Sequence, residues 1–239
     1  MSKFVTLLQQ LEREPVGLYP DSTPVSPSDD DRNNGHRQKQ KTPEEALRLV
    51  QQLFLYPAEA PRVVVFAGIN HRHGCSHVSA EVAKTLAKNT LQSVCLVEAN
   101  FRSPSLSRFF GVTGNRGFSD AILREGSVKS FAKLVSEANL WLLSSGAPIE
   151  DVETIIASDH LRHRMSELRD EFDFVLIDAP PVTRYPDASI LGQISDGLVL
   201  ILDAESTRRE TTEAVAGNLR SVNVPILAAI LNSHTSPLA

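Results

Sequence analysis

The chain has 239 residues, 41% of them hydrophobic, and 24 Lys and Arg against 29 Asp and Glu give a formal net charge of −5. That length fits one α/β domain with or without a tail, and the mild acidity excludes nucleic-acid binding driven by overall charge. Two cysteines, Cys75 and Cys95, make no disulfide framework and fit a reducing cytoplasm.

The first stretch, residues 1–18, sets Phe4, Leu7, Leu8 and Leu11 at helical spacing and predicts a short amphipathic helix. Such a helix either folds back on the domain or docks on a partner. It carries acidic residues and no uninterrupted apolar core, so no signal peptide is expected. Residues 19–41, "YPDSTPVSPSDDDRNNGHRQKQK", are polar and rich in Pro and Ser, and predict a disordered linker. The domain proper is expected over residues 42–239. It opens on "TPEEALRLVQQLFL", where Thr42 caps a helix, Pro43 takes its first position and Glu45 completes a capping box.

Five apolar runs follow: "RVVVFAG", "SVCLVEAN", "FVLIDAPPV", "GLVLILDA" and "PILAAILN", with "NLWLLSSG" as a sixth candidate. None alternates with polar residues, which predicts strands buried on both faces. Helical patterns around residues 76–90, 117–125, 157–171 and 207–221 separate most of them. The expected fold is therefore α/β and doubly wound, a mainly parallel sheet flanked by helices, with ligands at the carboxyl ends of its strands. The longest apolar runs fall well short of a bilayer span, so any membrane connection is expected through a partner. Trp141 and Cys95 are expected in the core, and His160, Arg162, His163 and Arg164 on a solvated helix face.

Three strand ends carry the polar residues that matter. The first, "FAGINHRHGCSHVSAEVAKTLA", joins a strand to a helix through a tight loop, as in a phosphate-binding loop of the form G-x-x-x-x-G-K-[ST]. Gly74 and Ser76 occupy the places of its last glycine and hydroxyl. Cys75 stands where the lysine belongs, and Gly68 is one residue too early for the first glycine. The second strand end, "VEANFRSPSL", holds Glu98, Asn100 and Arg102. The third ends in Asp178, placed as a carboxylate that holds Mg²⁺ or its water would be.

In their order and spacing, "VEANFRSPSL", "GFSDAIL", "FDFVLIDAPPV", Asp187-Ala188, Asp196-Gly197 and "AILN" resemble the bacterial tyrosine kinases of capsule and exopolysaccharide synthesis. These are relatives of the ParA/MinD ATPases, and the resemblance covers about residues 42–233. It implies ATP or ADP with Mg²⁺ as cofactor, Ser76 and Asp178 as metal-holding groups and Arg102 as the family arginine. It also implies Asn232 as the purine-contacting asparagine, and Glu98 and Asn100 at the places of two aspartates. Partners would be a membrane-embedded chain-length determinant (co-polymerase) or an active kinase paralogue, with the protein cytoplasmic and peripheral at the inner membrane. The family's E-x-x-R-x-x-R helix, which packs on a neighbouring subunit, is matched by Glu45 and Arg48 but has Gln51 at its second arginine. Homo-oligomerisation is thereby implied only in part. The family's C-terminal tyrosine cluster has no counterpart, since the tyrosines are Tyr19, Tyr56 and Tyr185.

The departures bear on chemistry. A lysine against the β/γ-phosphates is worth about 4 kcal/mol before desolvation at an intermediate dielectric, and Cys75 forfeits it unless Arg72 supplies a charge from within the loop. Asn100 can neither accept a tyrosine proton nor offer negative charge to Mg²⁺. Glu98 displaces its oxygens by roughly an ångström and a half relative to aspartate. Together these changes predict a catalytically degenerate protein with nucleotide binding weak or lost; the alternative is a working kinase or ATPase with a non-standard site. A third reading takes His71, His73, Cys75 and His77 as ligands of a metal or redox switch, with a lowered Cys75 pKa. Four ligands within seven residues close a tetrahedron poorly, so zinc is disfavoured against a drifted loop with exposed histidines.

Overall fold

The computed structural model describes residues 43–114 and 116–232. The helix read over residues 1–18, the linker with Tyr19, and the capping Thr42 lie outside the described residues. The first described helix, α1 (Pro43–Val50), runs into a π-helical turn over Gln51–Leu55. Then come β1 (Val63–Gly68), α2 (Cys75–Asn89) and β2 (Val94–Glu98). The short helices α3 (Leu106–Phe109) and α4 (Phe118–Leu123) precede a 3-10 turn at Val128–Phe131 and a hairpin of β3 (Lys133–Ser136) and β4 (Leu140–Leu143). The remainder is α5 (Val152–Ile156), α6 (Asp159–Glu171), β5 (Phe174–Ala179), α7 (Asp187–Gln193), β6 (Gly197–Asp203), α8 (Arg209–Ser221) and β7 (Ile226–Asn232).

The seven strands form one sheet in the order β3-β4-β2-β5-β1-β6-β7. Every pairing is parallel except β3 with β4. The expected doubly wound, mainly parallel architecture is borne out. Its physical basis is visible in β1, where all six residues are buried. Val63, Val65 and Ala67 face the layer of α4–α8, and Val64 and Phe66 face α1 and α2. Each such side chain removed from water contributes roughly 1.5–3 kcal/mol, which is why these runs show no polar alternation. β3 escaped the sequence because it is a four-residue edge strand with Lys133 and Leu134 exposed.

Two expectations are corrected. Trp141 is only half-buried, lying 6.0 Å from the Phe172 ring with its indole N–H donated to Asn139 Oδ1. Arg164 is not on a solvated face. It is 8% exposed and ties α6 to the loop after α4 through the carbonyls of Gly126 (2.8 Å) and Arg124 (2.5 Å). The helix after Pro43 widens into a π turn over Gln51–Leu55.

The topology reverses about β1, which pairs with β5 on one side and β6 on the other, while β2 lies beyond β5. The carboxyl ends of β1, β2 and β5 are therefore adjacent. Glu98 is aligned with Asp178, and Asp178 with Phe66. Three motifs far apart in sequence meet at one switch point, the crevice where such sheets bind ligands.

Candidate functional site

The loop between β1 and α2 has the backbone of a phosphate cradle. Arg72 and Gly74 adopt left-handed conformations with φ of 64° and 76°, and the first intrahelical bond of α2 runs from Val78 N to Gly74 O at 2.9 Å. The amides of residues 71–76 meet no acceptor among the described residues, as the first turn of any helix leaves its N–H groups free. They border an open cavity of about 490 Å³ whose walls include Arg72, Gly74, Cys75, Ser76, Asn100 and Arg184.

Neighbouring segments pin the loop. Val182 N donates to Gly68 O at 3.0 Å, and the Thr183 hydroxyl donates to Ile69 O at 2.6 Å and meets Asn70 Oδ1 at 2.8 Å. Asn232 Nδ2, from the end of β7, donates to His73 O at 2.8 Å. A methyl group on Gly74 would lie 2.5 Å from that nitrogen, at a φ that L side chains rarely adopt. Gly74→Ala is accordingly expected to cost about 2 kcal/mol or more, from backbone strain and a broken Asn232 bond; urea unfolding would measure it.

Asp178 sits at the base of this arrangement. It is 1% exposed, and neither carboxyl oxygen is met in hydrogen-bonding geometry. Burial pushes its pKa up to about 7; the nearby Ser76 hydroxyl and Cys75 thiol offset part of that, and the Glu98 charge adds to it. Cys75 is raised well above an ordinary thiol, first by burial and then by Asp178. The lowered pKa expected for a cysteine at a helix N-terminus is thus overturned, because desolvation and a neighbouring carboxylate outweigh the helix.

Glu98 is fully buried and is not on the cavity wall. Its Oε1 accepts the amides of Ser105 and Leu106 (the latter at 2.6 Å), and Oε2 accepts Ser145 N at 3.1 Å. Its extra methylene reaches two loops rather than a ligand. Asn100 does line the cavity, with Oδ1 accepting Ser103 N at 3.2 Å. Arg102 lies elsewhere: it pairs with Asp187, with Glu153 at 2.6 Å, and stacks 4.1 Å over the Tyr185 ring. Asn232 is 2% exposed and also off the cavity wall. Arg184, not singled out by the sequence, is on that wall; its only signal was its place five residues after "APP" begins.

The histidines do not behave as one group. His73 is 5% exposed, with a ring nitrogen 3.4 Å from Ile201 O, so the expected loop of exposed histidines is corrected there. His77 is exposed and packs edge-on to Phe109, with centroids 5.6 Å apart. Among the described residues, no three His, Cys, Asp or Glu side chains gather as a metal site. On α1, Arg48 is exposed and Glu45 Oε2 is buried without a hydrogen-bond partner.

A mainly parallel sheet with an amide cradle after β1 and a carboxylate at the end of the neighbouring β5 is a P-loop NTPase fold of the ParA/MinD kind. No protein-family model matches the chain. It is 28% identical over 159 residues to the putative tyrosine-protein kinase CapB of Staphylococcus aureus, covering 66% of this chain and 69% of that protein. Among solved structures, the chimerical protein CapA2B2 superimposes with a TM-score of 0.75 at 20% identity, over 83% of this chain and 88% of that one. The septum site-determining protein MinD of Pyrococcus horikoshii, complexed with Mg-ADP, gives 0.60 at 21% identity, over 71% and 69%. The resemblance to bacterial tyrosine kinases read from the motifs is borne out.

Proposed function

We propose that the chain is a catalytically degenerate relative of the bacterial tyrosine kinases. It acts as a cytoplasmic regulator or scaffold in exopolysaccharide or capsule synthesis and export. The observation that carries this reading is Cys75, a neutral, half-buried thiol beside the buried Asp178, in the place where the family resemblance puts a lysine. Glu98 has both oxygens committed to backbone amides, and Asn100 offers only an amide. Asp178 is left as the one carboxylate for metal and proton chemistry that normally draws on several groups. The free amides and Ser76 fit a phosphate-bearing ligand; the donor set fits Mg²⁺-assisted phosphoryl transfer poorly.

A protein of this kind works by contact. The partner would be a membrane-embedded chain-length protein or an active kinase paralogue, and α1 with Glu45 and Arg48 is the proposed contact face. Among the described residues no helix is long and apolar enough to cross a membrane, so membrane association would come through that partner. Purified protein with Mg²⁺ and ATP is expected to show neither tyrosine autophosphorylation nor hydrolysis above background. Robust activity that disappears in Asp178→Asn would overturn the proposal and favour a working kinase in which Arg72, unpaired among the described residues and on the cavity wall, replaces the lysine.

A further inference from the structure

We propose that residues 1–18 fold back on their own domain, docking Phe4, Leu7, Leu8 and Leu11 on an apolar patch formed by Leu55, Tyr56 and Leu91. The patch lies at the amino end of the parallel strands, away from the cavity, and the contact is made within one chain. It goes beyond the scaffold reading and does not depend on it.

The fold assembles the patch from two segments distant in sequence. Leu55 ends the π turn after α1, and Tyr56 (71% exposed) follows it. Leu91, fully exposed, sits in the turn between α2 and β2. The start of β5 brings them together. The Phe54 ring packs edge-on to the Phe174 ring at 5.5 Å, and Phe174 N donates to Ser93 O at 3.0 Å, two residues beyond Leu91. Three of the seven large apolar side chains exposed among the described residues thus gather at one end of the sheet. A single exposed leucine needs no explanation, but neighbouring apolar side chains rimmed by polar ones mark a contact. The rim here is Gln52, Glu59, Lys88 and Gln92, all exposed.

Spacing and chain length select the occupant. Phe4, Leu7, Leu8 and Leu11 recur at the i, i+3, i+4, i+7 interval of one helix face. A helix of that length is marginal in water on its own and owes its stability to what its apolar face packs against. As a random coil, the 23 residues 19–41 would have a root-mean-square span of roughly 24–29 Å. The helical rise from Pro43 to Leu55 is about 18 Å. A linker whose span is comparable with the distance it bridges gives the highest effective concentration, about millimolar. An apolar contact too weak to join two dilute molecules is therefore sufficient within one chain. Charge agrees with this placement. Lys88, with no ion-pair partner among the described residues, lies three residues before Leu91, and Glu12 directly follows the apolar face of the segment.

The test is hydrogen–deuterium exchange of the full chain, read over residues 4–12, 52–58 and 88–93. Leu7→Asp with Leu8→Asp breaks the face of the segment. Tyr56→Gln with Leu91→Asp breaks the patch, at side chains too exposed to support the core. Leu91→Ser alone repeats the patch arm without touching the π turn, and thermal melting checks that each variant is folded. We expect residues 4–12 to exchange about tenfold faster in the patch variants, equivalent to 1.4 kcal/mol. Residues 52–58 and 88–93 should speed up by a similar factor in the segment variant. Each change is thus felt in the other segment, and the rates should not vary between about 1 and about 50 µM protein. Protection that grows with concentration would assign the patch to a second copy and overturn the proposal. So would residues 4–12 exchanging freely in the parent, or gaining protection only with vesicles of phosphatidylglycerol and phosphatidylcholine. Variants that alter exchange only in their own segment would overturn it equally.

Discussion

Glu98→Asp, which installs the aspartate that the family resemblance implies at this place, is expected to destabilise the chain by about 3 kcal/mol and to yield no phosphoryl transfer. The Glu98 carboxylate is fully buried and accepts three backbone amides from two segments: Ser105 and Leu106 at the start of α3, and Ser145 after β4. Shortening the side chain by one methylene withdraws its oxygens by roughly an ångström and a half, too far to keep all three bonds. Each buried amide left without an acceptor costs about 1–3 kcal/mol. Glu98→Ala strands all three and should cost most, while Glu98→Gln keeps Oε1 or its equivalent and should cost least. Urea unfolding would report the losses as lower midpoints at constant slope. An aspartate variant as stable as the parent would show that these loops do not depend on the longer side chain.

That role was not legible in the sequence, although the position was. The apolar run "SVCLVEAN" placed residue 98 at a strand end, as the structure has it, and the sheet sets it beside Asp178. What the sequence lacks is the direction of the side chain, because Ser145 is 47 residues away and reaches Glu98 only through the pairing of β2 with β4. The buried strands were readable for the opposite reason: β1, β5 and β6 are covered on both faces, so composition alone marks them. Edge strand β3, with two exposed residues in four, carries no such mark. His73 shows the same limit within the loop itself: it is buried although Arg72 beside it is exposed, and its ring meets the carbonyl of Ile201, 128 residues away. Gly74 and Ser76 were recognisable because the phosphate-binding loop fixes residue types by backbone geometry, and the left-handed Gly74 satisfies that demand.

Asp178→Asn is expected to raise stability above neutral pH and to flatten its pH dependence. The Asp178 carboxyl has a pKa of about 7 in the folded chain against an ordinary 3.8, raised chiefly by burial and only partly relieved by Ser76 and Cys75. The folded state thus holds this proton more tightly than the unfolded chain. Stability from this group is complete below pH ~4, falls as pH climbs through the interval to ~7, and stays low above it. The gap corresponds to as much as about 4 kcal/mol, an upper bound that relaxation of the site reduces. Asparagine cannot ionise, so the difference between variant and parent isolates Asp178 from every other acid in the chain. Parallel urea titrations at pH 4, 6 and 8 would show the two proteins converging at low pH and the variant ahead at high pH. An equal slope in both would mean the carboxyl titrates normally and is therefore solvated or paired. Cys75→Lys extends the argument, because a cation in the family position would favour the charged carboxylate and shrink the same slope. In a site built around such a cation the carboxylate would cost little. Here it is retained at a standing penalty, as expected of a group kept for a ligand that the fold alone does not supply.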